Sequence, residues 1–93
     1  MERQIKLLKL LFSQSEFKPA AFFSSKLSIL TKTVYYDIEK LNEQLITVPN
    51  TDIRIEKFPR KGLMLLGEKT DVEPIISYLE QKNSHSYLIQ IQL

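Results

Sequence analysis

Lys32, Thr33, Tyr35, Tyr36 and Lys40 fall in one short stretch, and Arg60-Lys61 stand together just ahead of Gly62. These side chains donate hydrogen bonds to anionic oxygens and heteroaromatic edges. Ammonium and guanidinium groups suit phosphate or guanine O6 and N7, and hydroxyls suit either. Bond-making chemistry has far less to work with. The chain holds one histidine, no cysteine, and only Gly62 and Gly67 for a phosphate-cradling loop. No carboxylate pair lies near a plausible base. Asp37 is the most tempting single acid, yet its spacing suits a structural pairing with the hairpin described below or with a neighbour on the second helix. The expectation is therefore of no enzyme: no catalytic residue, no metal site, no cofactor and no small-molecule ligand.

The binding candidates need elements to hold them. Residues 2–13 place Ile5, Leu7, Leu8, Leu11 and Phe12 at helical spacing, with Arg3, Lys6 and Lys9 on the other side. Pro19 suits the first position of a second helix, where its missing N–H costs nothing, and Ala20, Phe23, Ser24 and Leu27 then share a face. Ser28-Ile29-Leu30 reads as a tight turn that packs Ile29 into the angle between two helices. The third helix, Thr31 to Leu45, has the strongest period, with Val34, Ile38, Leu41 and Leu45 in one stripe. Lys32, Thr33, Tyr36, Glu39, Lys40 and Glu43 point away from that stripe, and Tyr35 lies on its flank.

Beyond the turn-forming residues 48–52 the period changes from 3.6 to 2. Residues 53–58 alternate apolar and polar, Pro59-Arg60-Lys61-Gly62 is a turn, and residues 63–67 return as a second apolar run. This is a β-hairpin with a basic tip. Thr70 and Glu73 have capping-box spacing, which predicts a fourth helix to about Gln81, broken by residues 82–86. His85 falls in that polar break and is expected to be merely exposed. Residues 87–93 open a new apolar segment, which suggests a longer protein with a further domain.

Ninety-three residues make one core at most, and the hydrophobic (43%) and charged (26%) fractions are those of a globular chain. No apolar run approaches the length of a membrane span, and Lys6 and Lys9 interrupt any signal-like region. A cytoplasmic protein without membrane contact is expected. Residues 1–67 carry eleven Lys/Arg against seven Asp/Glu, whereas residues 68–93 carry two against four. A basic front with an acidic back suits a nucleic-acid-binding module followed by something else.

The predicted order is helix, helix, tight turn, helix, hairpin, then a fourth, linking helix. That describes an α+β, mainly α, winged helix-turn-helix over residues 1–67, with residues 68–93 forming the linker helix and the start of a further domain. Such a fold holds its third helix proud of the surface, and the major groove of B-DNA admits one helix. Double-stranded DNA is the expected partner. Lys32, Thr33, Tyr35, Tyr36 and Lys40 are the expected contacts from the helix, and Arg60 and Lys61 those from the hairpin tip, toward phosphates or the minor groove. Glu39 and Glu43 sit poorly against phosphate, so the C-terminal half of the helix is expected to leave the groove.

The run from Lys26 to Asn42 resembles the pattern KLGVSxRTIxxDIxxLN of the N-terminal winged helices of phosphotransferase-regulated (PRD-containing) bacterial transcription regulators of the mannitol-operon-activator kind, with Mga-like virulence regulators as relatives. Residues 55–65 resemble their wing, IExxxGKGYxL, and the likeness covers about residues 3–67. It implies sequence-specific DNA binding, control of a sugar-uptake operon or of virulence genes, and a homodimeric full-length protein. Two departures stand out. Ser28-Ile29-Leu30 replaces the family's Gly-Val-Ser, leaving a leucine at the N-cap unless Thr31 caps one residue late. Tyr35-Tyr36 replaces arginines, which lowers phosphate affinity and implies a different base preference.

Two other binding classes compete. A winged helix that binds protein instead of DNA keeps the fold and loses the basic outer face. An RNA-binding antiterminator module is all-β, and the helical first half argues against it.

Overall fold

The computed structural model of the chain describes residues 2–68 and 72–92, with side chains through Lys82. It is a small α+β structure, mainly helical: α1 (Glu2–Phe12), α2 (Ala20–Leu27), α3 (Thr31–Leu45), β1 (Arg54–Phe58), β2 (Gly62–Leu66) and α4 (Glu73–Gln92). The strands pair antiparallel, from Arg54 opposite Leu66 to Phe58 opposite Gly62.

The apolar stripes meet in one core. Ile5, Leu7, Leu8 and Leu11 of α1 bury against Phe23 of α2, the Val34, Ile38, Leu41 and Leu45 stripe of α3, and Ile55, Leu63 and Leu65 of the hairpin. Ile75, Ile76 and Leu79 of α4 join the same cluster. Burial of such side chains is the main force holding these short elements together, worth about 1.5–3 kcal/mol for each large one.

The turn between α2 and α3 is a left-handed helix stop. Ser28 has φ +56°, its N–H reaches the Ser25 carbonyl at 3.4 Å, and the Ile29 N–H reaches the Ser24 carbonyl at 3.0 Å. This is the Schellman arrangement, with serine where glycine is usual. Ile29, the residue after it, packs against the core as the sequence predicts. Pro19 is the N-cap of α2 and not its first turn, one residue earlier in role than expected. Leu30 caps α3 without a side-chain hydrogen bond, and Thr31 is the first helical residue, so the late cap considered for Thr31 does not form.

The hairpin turn has Pro59 second and Arg60 third, with Lys61 N–H to the Phe58 carbonyl at 3.2 Å. Arg60 has φ +67°, so the turn follows the type II pattern with arginine where glycine or asparagine is preferred. Gly62 is required: at φ +109° it lies against the backbone of Lys18, and a Cβ there would run into the Lys18 carbonyl. That contact is a β-bridge, Leu63 N–H to Lys18 O at 2.7 Å and Lys18 N–H to Leu63 O at 3.2 Å. The segment ahead of α2 thereby extends the hairpin on its β2 side.

Two sequence expectations need correction. Asp37 pairs with neither the hairpin nor α2. It is fully buried and held by α1, with Arg3 Nε and Nη2 at 2.7 and 2.9 Å and Gln4 Nε2 at 2.7 Å. The α3 turn carrying Asp37 faces the start of α1, and a long arginine there reaches the buried carboxylate while its side chain stays half exposed. The break expected at residues 82–86 is also absent, since α4 runs on to Gln92. Lys is a good helix former, Asn, Ser and His cost at most about 0.7 kcal/mol each, and no proline or glycine enforces a stop. Thr70, the predicted cap, and the side chains of His85 and residues 87–93 lie outside the described residues.

Candidate nucleic-acid interface

α3 presents its outer side as the period requires. Lys32, Tyr36, Glu39, Lys40 and Glu43 are exposed, Tyr35 is 40% and Tyr36 53% exposed, and Thr33 is half-buried. Thr33 is therefore less available than the others, because it turns toward the buried side with Val34. Tyr36 and Lys40 are one turn apart, and the lysine Nζ lies 5.5 Å from the ring centre while also 3.8 Å from Glu43. The two exposed carboxylates, Glu39 and Glu43, lie in the second half of the helix, which leaves its first half the more cationic.

The orientation of α3 is set at two places. At its first turns, the buried Asp37 ties it to Arg3 and Gln4 of α1. The hydrogen bonds that Arg3 donates to Asp37, and then the carboxylate's charge, raise the Arg3 pKa above its ordinary value. Near its end, Asn42 gives Nδ2 to the Ile55 carbonyl at 3.0 Å and accepts the Ile55 N–H on Oδ1 at 2.9 Å. The helix is thus bonded to β1 directly, and β2 is bonded to the entry of α2.

This framing brings Tyr35 to the hairpin. Lys57 Nζ lies 5.1 Å from the Tyr35 ring centre, and Lys61 Nζ lies 5.9 Å from the ring centre of Phe17, which is itself edge-on to Phe58 at 5.0 Å. Tyr35, Lys57, Arg60 and Lys61 line one open notch of about 430 Å³ between α3, the hairpin and the start of α2. Of the expected contact residues, Tyr35, Arg60 and Lys61 share this notch. Lys32, Thr33, Tyr36 and Lys40 do not line it. A wider cleft of about 550 Å³, bordered by Val48, Pro49, Asp52, Pro74 and Tyr78, includes none of the candidate residues.

Sequence reasoning missed Lys57, although a signal was present. In the alternation Ile53-Ile55-Lys57 the lysine has the parity of the two buried isoleucines, so it projects toward α3 rather than away from it. It also missed a second basic group, at the entry to α2 and along it. Lys18, Phe22 and Lys26 repeat at four-residue intervals, and both ammonium groups lie within 6 Å of the Phe22 ring centre, at 5.5 and 5.7 Å. That spacing was readable.

Among the described residues no group of three or more His, Asp and Glu side chains gathers to hold a metal, and no helix is long and apolar enough to cross a membrane. Compared with protein-family models, with curated proteins and with solved structures, the chain matches none.

Proposed function

We propose that the chain is a winged helix-turn-helix DNA-binding domain of a bacterial transcription regulator, with α2–turn–α3 as the helix-turn-helix and the β1–β2 hairpin as the wing. The observation that carries this reading is the joint presentation of an exposed helix face and a basic hairpin end. The outer side of α3, with Lys32, Tyr36 and Lys40, and the hairpin end, with Lys57, Arg60 and Lys61, are tied into one frame by Asn42–Ile55 and Lys18–Leu63. In this reading α3 lies in the major groove, Lys32 and Tyr36 reach base edges, and the wing meets the adjacent backbone.

The likeness of residues 26–42 and 55–65 to phosphotransferase-regulated activators supports a cytoplasmic regulator of sugar uptake, acting as a homodimer in its full-length form. A salt titration of duplex binding tests the core of the proposal. Phosphate contacts predict a steep, linear fall of log affinity with log salt. Absence of binding to any duplex at low salt, including by a chain dimerised through a fused coiled coil, would sink it.

A further inference from the structure

The notch between α3 and the hairpin is built for one kind of group. Three cations line it, Lys57, Arg60 and Lys61, and no carboxylate does. Tyr35, Phe58 and Pro19 line it as well, flat or rigid surfaces beside the three cationic side chains. Lys57 is the unusual member. It sits on the core-facing side of β1, opposite the buried Leu63, yet beyond the reach of the core, and its ammonium lies over the Tyr35 ring. A cation on a π-face keeps its hydrogen-bond donors free on the far side while losing freedom of movement.

Building on the DNA-binding reading, we infer that this notch is the seat of one backbone phosphodiester, gripped by Lys57 together with the Arg60-Lys61 tip, and that Tyr35 is a positioning residue for Lys57 rather than a reader of bases. At about 430 Å³ the notch is large enough for a phosphodiester with part of its sugar. The seat fixes where the wing meets the backbone relative to α3, because Lys57 comes from the hairpin and Tyr35 from the helix.

The test uses the whole chain and a short mixed-sequence duplex, with affinity measured across a salt series. Lys57→Gln lowers low-salt affinity several-fold and reduces the log–log salt slope by about one. Tyr35→Leu lowers affinity for all sequences alike, Tyr35→Phe restores most of that loss, and Tyr35→Leu adds little once Lys57→Gln is present. Both positions are exposed, and unchanged melting temperatures exclude misfolding as the cause. Two outcomes overturn the seat while leaving DNA binding intact: an unaltered slope in Lys57→Gln, or a changed base preference in Tyr35→Phe. Competition by inorganic phosphate at concentrations that leave the ionic strength fixed, equally strong against wild type and Lys57→Gln, also overturns it. Failure of the wild-type chain to bind duplex at low salt overturns both this inference and the reading beneath it.

Discussion

Asn42 serves Ile55 as a neighbouring strand would, giving one hydrogen bond to its carbonyl and taking one from its N–H, at 3.0 and 2.9 Å. These are the two backbone groups of β1 that the hairpin ladder leaves free at that residue. One side chain therefore joins α3 to the hairpin. Asn42→Ala leaves both half-buried groups unpaired and is expected to cost about 2–3 kcal/mol, read from urea unfolding. On the proposed reading duplex affinity falls with it, since the outer face of α3 and the basic hairpin end lose their common frame. A stability loss near zero would show that the pair carries no weight.

Ser28 occupies a left-handed position that costs a side-chain-bearing residue about 1–2 kcal/mol. Ser28→Gly is expected to stabilise the fold by about 0.5–1 kcal/mol after glycine's extra unfolded-state freedom is subtracted. The check is a rise of a few degrees in melting temperature, with duplex affinity unchanged, because Ser28 lies outside the candidate interface.

Arg60 shares that strain but stands in the candidate interface. Arg60→Gly is expected to raise the melting temperature while lowering affinity for every duplex alike and shrinking the salt slope by about one. Opposite signs for stability and binding separate a residue kept for its charge from one kept for its turn. A variant that loses stability as well would refute the type II reading of the turn.

Base reading and backbone grip should also separate. Lys32→Ala and Tyr36→Ala are expected to weaken binding to a cognate site by about 1–3 kcal/mol, and binding to random DNA by less, whereas Arg60→Ala weakens both equally. The comparison requires a selected site, obtained by repeated enrichment from a random duplex pool. Equal effects from all three would mean that α3 does not read bases.

Asp37 is fully buried, and its partners come from α1. Removing Arg3 strands a charge, whereas removing both partners strands none. Arg3→Met is therefore expected to lower the urea midpoint more than the double variant Arg3→Met/Asp37→Leu does. The reverse order would show that the ion pair itself, and not the penalty of breaking it, holds α1 on α3.

The helices and the hairpin were legible because each is encoded locally: a 3.6-residue stripe such as Val34-Ile38-Leu41-Leu45, or an alternation such as Ile53-Ile55. Their ends fall within a residue or two of the periodic readings, except for α4. There, residues 82–86 are polar and of modest helix propensity, and without proline or glycine they continue the helix instead of ending it. What periodicity cannot convey is which faces meet. The partner of Asp37 depends on α1 crossing α3, and the Lys18–Leu63 bridge depends on the hairpin folding back over α2. The candidate site divides the same way. Exposure of Lys32, Tyr36 and Lys40 followed from the stripe, whereas the gathering of Tyr35 with Lys57, Arg60 and Lys61 arises only from tertiary packing.

The Lys18–Leu63 bridge has a consequence in time as well as in shape. An isolated two-stranded hairpin is marginal in water and frays on its own. This one is stitched along β2 to the residue that leads into α2, so its tip cannot peel away without loosening the helix behind it. The Leu63 amide is therefore expected to exchange with solvent as slowly as the deep helical amides, opening only when the whole unit opens. On the proposed DNA-binding reading, the chain would meet a duplex as a stiff two-pronged gauge, and one of the wrong groove width would be refused rather than accommodated.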